Sequence, residues 1–106
     1  MTDQIKIGPI TYQVKEVKNL ENGDGHALWG QAYHQAFEIR IAKDRHTRES
    51  RFVTTWHEVL HCLEPIYGVE LLEQDIIVIA SVISQVLQDN PGMNWTEYLK
   101  ESEHSQ

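Results

Sequence analysis

The sequence predicts an α+β fold: a small antiparallel sheet of three or four strands, then two main packed helices and a short C-terminal helix. Apolar and polar residues alternate repeatedly in the first 41 positions, as they do in half-buried strands. After residue 47 the apolar positions instead recur every three to four residues, which is typical of helices. A length of 106 residues suits one domain with a modest core, so we expect residues 1–106 to form a single domain.

The strands are expected in the first half of the chain. Residues 4–18 predict a hairpin whose turn lies at or near Gly8 and Pro9, two residues that favour turns. Two more strands are expected at residues 28–33 and 37–41. The second of these has the clearest alternation, because its odd positions are apolar and its even positions are charged.

A first helix is expected after the strands. Thr47 or Ser50 can cap its N-terminus, since a hydroxyl oxygen can accept a hydrogen bond from a free backbone N–H of the first turn. We expect it to end at Leu63 or Glu64, because Pro65 follows and disfavours the helical conformation of the residue before it.

A second helix is expected from about Leu71 to Gln88. Its middle is apolar almost all round, so we expect it to be buried on every side and to support the fold. A short third helix should begin after Asn94, where the sequence resembles a capping box.

Composition and sequence pattern restrict the binding partners and the cellular compartment that we expect. A net charge of -7 disfavours binding to a nucleic-acid backbone. The single cysteine, Cys62, has no internal disulfide partner, which is consistent with a reducing compartment. The N-terminus lacks the pattern of a secretory signal, and the longest apolar run is too short to span a bilayer. We therefore expect a cytoplasmic protein without a membrane or nucleic-acid partner.

The stretch His57-Glu58-Val59-Leu60-His61 contains the pattern HExxH on an amphipathic helix. Residues four apart lie on the same helix face, so His57 and His61 can direct two imidazoles at one metal ion. Zn²⁺ binds imidazole nitrogen readily and activates water for hydrolysis. Glu58 lies beside the two histidines and is the candidate catalytic base. The pattern predicts a zinc hydrolase.

A catalytic zinc site needs a third protein ligand. Glu73 is the first choice, because it continues the apolar stripe of the second helix one turn beyond its contact with the first. Glu70 and Asp75 remain alternatives. Glu64 follows the histidines on their own helix, where a straight helix would struggle to close a tetrahedron, and it is expected to be a solvated charge.

These residues resemble the small zinc peptidase-like domains of the ImmA/IrrE group, especially compact versions encoded by phages and prophages. The resemblance is carried by the HEVLH helix, the short turn with Pro and Gly, Glu73, and the helix end at residues 85–91. The strand pattern of residues 28–41 also looks like that family. The resemblance as a whole covers about residues 5–91, and HExxH is its only highly specific element.

The resemblance implies a zincin-like fold with a gluzincin-type site. His57, His61 and Glu73 would bind zinc, Glu58 would be the general base, and the strand at 37–41 would pair with an extended peptide. The function expected is therefore a metallopeptidase acting on a peptide or protein. One alternative is a non-catalytic zinc-binding interaction module of phage or prophage origin. Another is an interaction domain that binds no metal.

Overall fold

The structure, a computed structural model, describes residues 4–104, with side chains through residue 100. Residues 1–3, which belong to the N-terminal sequence that argued against a secretory signal, lie outside them. The described chain has four strands followed by three helices, so the predicted α+β class is confirmed. The elements are β1 (Gln4–Ile7), β2 (Ile10–Val17), β3 (Gly30–Tyr33), β4 (Glu38–Ala42), α1 (Arg48–Tyr67), α2 (Glu73–Asp89) and α3 (Trp95–His104).

The four strands form one mixed sheet in the order β1-β2-β4-β3. β1 and β2 form the expected hairpin, and Gly8 in its turn has a φ of 57°, a left-handed value that favours glycine. β4 pairs antiparallel with β3 but parallel with β2, so the sheet is not wholly antiparallel. This inner position suits β4, because its apolar residues Ile39 and Ile41 are almost completely buried.

Two strand boundaries differ from those expected. β3 begins at Gly30, so Leu28 and Trp29 precede the strand. Phe37 closes a short 3-10 turn with a left-handed φ of 52° and lies before β4. Alternation alone does not reveal such a turn, because Phe37 falls in phase with the alternating apolar residues Ile39 and Ile41 of the strand that follows.

α1 is capped as expected but is longer than expected. The Thr47 side chain accepts a hydrogen bond from the backbone N–H of Ser50 at 3.1 Å. The prediction that the helix ends before Pro65 is wrong, since α1 continues to Tyr67 and ends at Gly68, whose φ is 66°. Pro65 lies in the last turn, where the loss of its N–H removes only one hydrogen bond of the helix.

The main core lies between α1 and the sheet. Tyr12 from β2 and the two isoleucines of β4 meet the buried face of α1 there. Cys62 is fully buried in this layer, as expected of a small apolar side chain, and burial raises the pKa of its thiol to about 11. The buried members of this core are Ile7, Tyr12, Ile39, Ile41, Val59 and Cys62.

α2 packs against α1 through one face only. Ile76 and Ala80 are fully buried against Leu60 of α1, whereas Val78 and Val82 on another face are 60% and 52% exposed. The expectation that α2 is buried on every side is therefore wrong. An all-round apolar pattern shows that every face could be buried, but it does not supply a second packing partner. No helix within the described residues has the length and apolar character needed to cross a membrane.

Candidate metal centre

Two imidazoles stand side by side on α1. His57 and His61 are four residues apart, and their ring centroids are 5.0 Å from each other with a tilt of 54°. Both side chains are partly exposed, at 21% and 29%, so they face a cleft at the surface rather than the core. The helix spacing therefore produces the paired arrangement expected from the sequence.

A carboxylate from α2 meets both imidazoles. Glu73 is the first residue of α2, and its Oε1 lies 2.8 Å from Nε2 of His57 while its Oε2 lies 3.1 Å from Nε2 of His61. The packing of Ile76 against Leu60 fixes the start of α2 beside the histidines. The structure thus brings together the three side chains that the sequence singled out.

The two alternative third ligands do not join this group. Glu70 lies in the loop before α2 and Asp75 in its first turn, and both are exposed. Among the residues described, the group with metal-ligating potential consists of His57, His61 and Glu73.

The geometry and the donors fit a zinc ion. The three ligand atoms all lie within 4.8 Å of one another. Ligand atoms that share one tetrahedral zinc at about 2.0–2.1 Å stand about 3.3 Å apart, and the two contacts of Glu73 with the imidazoles, at 2.8 and 3.1 Å, are close to this distance. Two neutral imidazole nitrogens and one carboxylate form a donor set typical of catalytic zinc, with room for a water or substrate. Metal binding itself stays a prediction.

Glu64 holds one histidine in place, a role that the sequence analysis missed. Its Oε1 accepts a hydrogen bond from Nδ1 of His61 at 3.0 Å, and its Oε2 accepts one from the backbone N–H of Leu71 at 3.4 Å. These two bonds, with that to His61 the larger cause, lower the pKa of Glu64. A proton on Nδ1 leaves Nε2 of His61 free to bind a metal. The sequence did contain a signal for this contact, because side chains three residues apart on a helix can pair.

Glu58 is buried beside the histidines. Its residue is 7% exposed, and this burial is the main cause that raises the pKa of its carboxyl to about 7. His61 lowers the pKa, Glu73 raises it, and the backbone N–H of Ala32 lowers it. A carboxyl with a pKa near neutrality can both accept and donate a proton, as a general base and acid must.

Gly30 provides the space that Glu58 occupies. A Cβ at this position of β3 would lie 2.7 Å from Cγ2 of Thr54 and 3.1 Å from both Cγ and Oε2 of Glu58. β3 therefore passes so close to α1 that a side chain at this position would clash with Thr54 and press against the candidate base. This requirement for glycine was also missed, because it depends on a contact between distant parts of the chain.

A surface cleft of about 370 Å³ connects these residues. One wall is formed by the segment 27–30, which leads into β3, and the opposite wall by Thr54, His57 and Glu58 of α1, with Glu73 at its end. The candidate base and two of the candidate ligands therefore face the same space as the segment before β3.

Two nearby side chains that could stabilise an oxyanion, His46 and Tyr33, make contacts away from the metal group. The Nε2–H of His46 donates to the carbonyl oxygen of Trp29 at 2.9 Å, and its Nδ1 lies 3.0 Å from the Ser50 hydroxyl. Tyr33 has the guanidinium of Arg40 over its ring, 4.0 Å from the centroid. His46 and Tyr33 are thus engaged in contacts outside the metal group.

The prediction that the strand at residues 37–41 pairs with a peptide is wrong. β4 (Glu38–Ala42) is hydrogen-bonded to β2 on one side and to β3 on the other, so its backbone groups are already used. β3 is the last strand of the sheet and borders the cleft through Gly30. Any pairing with an extended peptide beside this site must therefore use β3.

Comparisons of the sequence with known protein families and with curated proteins, and of the fold with solved structures, gave no match.

Proposed function

We propose that this protein is a zinc-dependent peptidase. The observation that carries the proposal is the joint geometry of one cleft. The Glu73 carboxylate lies within 3.1 Å of Nε2 of both His57 and His61, and Glu58 is buried directly beside them. Three ligands with a separate carboxyl buried beside them suit a hydrolytic site better than a structural one, which has no use for a base.

The chain's own groups have distinct tasks in hydrolysis. When bound, zinc supplies Lewis acidity, which polarises the scissile carbonyl and favours attack by water. Glu58 accepts the proton of the attacking water and then delivers it to the leaving amine. Glu64 holds the imidazole of His61 in the tautomer that leaves Nε2 free.

An extended peptide is the substrate class that suits the cleft. β3 ends the sheet and borders the cleft, so the backbone groups of its outer edge, apart from the Ala32 N–H that bonds to Glu58, can offer hydrogen bonds to a peptide strand. A peptide bound in this way lies with its backbone next to Gly30, and therefore next to Glu58 on α1.

Peptide cleavage by the zinc-loaded protein tests this function. A mixture of unstructured peptides is incubated with the wild type and with Glu58→Gln, and the products are identified by mass spectrometry. We expect cleavage by the wild type and a loss of at least about a hundredfold in Glu58→Gln, since general acid–base catalysis contributes roughly 10² to 10⁴. Glu70→Gln, which alters an exposed carboxylate of the nearby loop, is the matched control and should retain the activity. Equal cleavage by wild type and Glu58→Gln would refute the proposal.

A zinc-binding interaction module is the second candidate. The observation in its favour is the exposed apolar face of α2, where Val78 and Val82 are more than half exposed. In that case the protein binds zinc but cleaves none of the peptides, and Glu58→Gln changes neither property.

A further inference from the structure

An exposed indole stands at the cleft of the candidate metal centre. Trp29 lies directly before β3 and lines the cleft together with Leu28, His57 and Glu58. It is 57% exposed, so more than half of the residue's surface is open to a ligand. The sequence pattern predicts Trp29 only as part of a strand at residues 28–33.

Contacts with neighbouring residues hold Trp29 in position. The imidazole of His46 packs against the indole with 5.0 Å between ring centroids, and its Nε2–H donates to the Trp29 carbonyl at 2.9 Å. The same carbonyl accepts a hydrogen bond from the backbone N–H of Ala42 at 2.9 Å. Arg45 donates to the carbonyl oxygens of Leu20 and Leu28, at 3.2 and 2.6 Å, which secures the segment that leads to Trp29.

A rigid aromatic ring at the wall of a cleft favours apolar ligands. It offers a large contact area, and little conformational entropy is lost when a ligand packs on a ring that is already held in place. Leu28 and the methyl group of Thr54 extend this surface within the cleft.

We propose that Trp29 forms a substrate-binding subsite that accepts an aromatic or large aliphatic side chain of a peptide paired with β3. The proposal rests on the proposed function, because it places this side chain in the cleft that contains Glu58 and two of the candidate zinc ligands, His57 and Glu73. Trp29 would determine specificity, selecting which peptides are held beside the base.

Binding of defined peptides to the Glu58→Gln variant tests the subsite without consuming the probe. The probes are capped pentapeptides of alanine with Phe, Leu, Ala or Lys at the centre, titrated against the zinc-supplemented full chain. Binding is followed by NMR through the tryptophan indole N–H signals. We expect the Phe and Leu peptides to bind about tenfold more tightly than the Ala peptide, and the signal of Trp29 to shift.

Variants distinguish binding at the Trp29 subsite from nonspecific binding to exposed apolar residues. Trp29→Ala should abolish the difference between the Phe and Ala peptides, and Trp29→Phe, which keeps an aromatic face, should preserve most of it. Trp95→Ala is the matched control, since Trp95 is an exposed tryptophan at the start of α3 that does not line the cleft. It should leave the preference intact.

Each outcome bears on the proposal. Equal affinity for all peptides, a preference for Lys, or an unchanged preference in Trp29→Ala would overturn the subsite. If Trp29-dependent binding is found but the wild type leaves the Phe peptide uncut, the subsite stands and the peptidase function fails. If peptides are cut without a preference that depends on Trp29, the function stands and the subsite fails.

Discussion

Replacing Glu58 by glutamine should change how the stability of the metal-free protein depends on pH. The pKa of the buried Glu58 carboxyl is raised from 4.5 to about 7 in the folded state. At a pH between 4.5 and about 7, the Glu58 carboxyl therefore keeps its proton in the folded chain but has lost it in the unfolded chain. The contribution of Glu58 to stability is therefore fully present below pH 4.5 and is lost as the pH rises through 7.

The magnitude follows from the two pKa values. A difference of about 2.5 between them corresponds to a total loss of about 3 kcal/mol, at about 1.36 kcal/mol for each pH unit. Between pH 5 and pH 8 linkage gives about 2.5 kcal/mol of this loss. The full value applies to Glu58 because its residue is only 7% exposed. A glutamine side chain has nearly the same shape but cannot ionise, so the Glu58→Gln variant should lack this loss.

The assay is urea unfolding in the presence of a chelator at pH 5 and at pH 8, followed by circular dichroism. The free energy of unfolding of the wild type should fall by about 2.5 kcal/mol more than that of Glu58→Gln over this interval. Glu70→Gln, which removes an exposed carboxylate from the loop before α2, should behave as the wild type. The reasoning is refuted if wild type and Glu58→Gln lose stability in parallel.

Three further substitutions test individual contacts. Glu64→Ala should weaken zinc binding roughly tenfold to a hundredfold in a competition titration with a chelator, because it removes the carboxylate that orients His61; unchanged affinity would show that the hydrogen bond is unimportant. Gly30→Ala should lower stability by about 1–3 kcal/mol and reduce peptide cleavage, because the new Cβ would clash with Thr54 and press against Glu58. Normal thermal stability and cleavage would contradict the close approach. Thr47→Ala should lower the free energy of unfolding by about 1 kcal/mol in urea through loss of the α1 cap, and no change would mean that the cap is dispensable.

The candidate site could be predicted largely from spacing. Helix geometry alone places His57 and His61 on one face, and the apolar stripe of α2 places Glu73 at the end that meets α1. The structure brings these three together. Glu64 was misread as a solvated charge, because the hydrogen bond to Leu71 depends on how the loop before α2 folds back.

The sheet and the exposure of α2 could not be predicted from local patterns. Alternation identifies β4 as a strand, but it carries no information about which strands lie beside it, so the parallel pairing with β2 was missed. The assignment of β4 rather than β3 to a bound peptide came from the family resemblance, which does not show which strand of this chain lies at the edge of the sheet. For α2, an apolar sequence cannot distinguish a helix buried on all sides from one with a single packing partner, as Val78 and Val82 show.

Metal content tests the central claim most directly. Protein purified without chelator is supplemented with zinc, desalted and analysed by elemental mass spectrometry beside His61→Ala and Glu73→Ala, with Asp75→Ala as the control for an exposed acid of the same helix turn. The account predicts close to one zinc per chain in the wild type and in Asp75→Ala, and its loss in both ligand variants. Zinc retained in Glu73→Ala would contradict the three-residue site, and a wild type that binds no zinc would contradict the hydrolase as a whole.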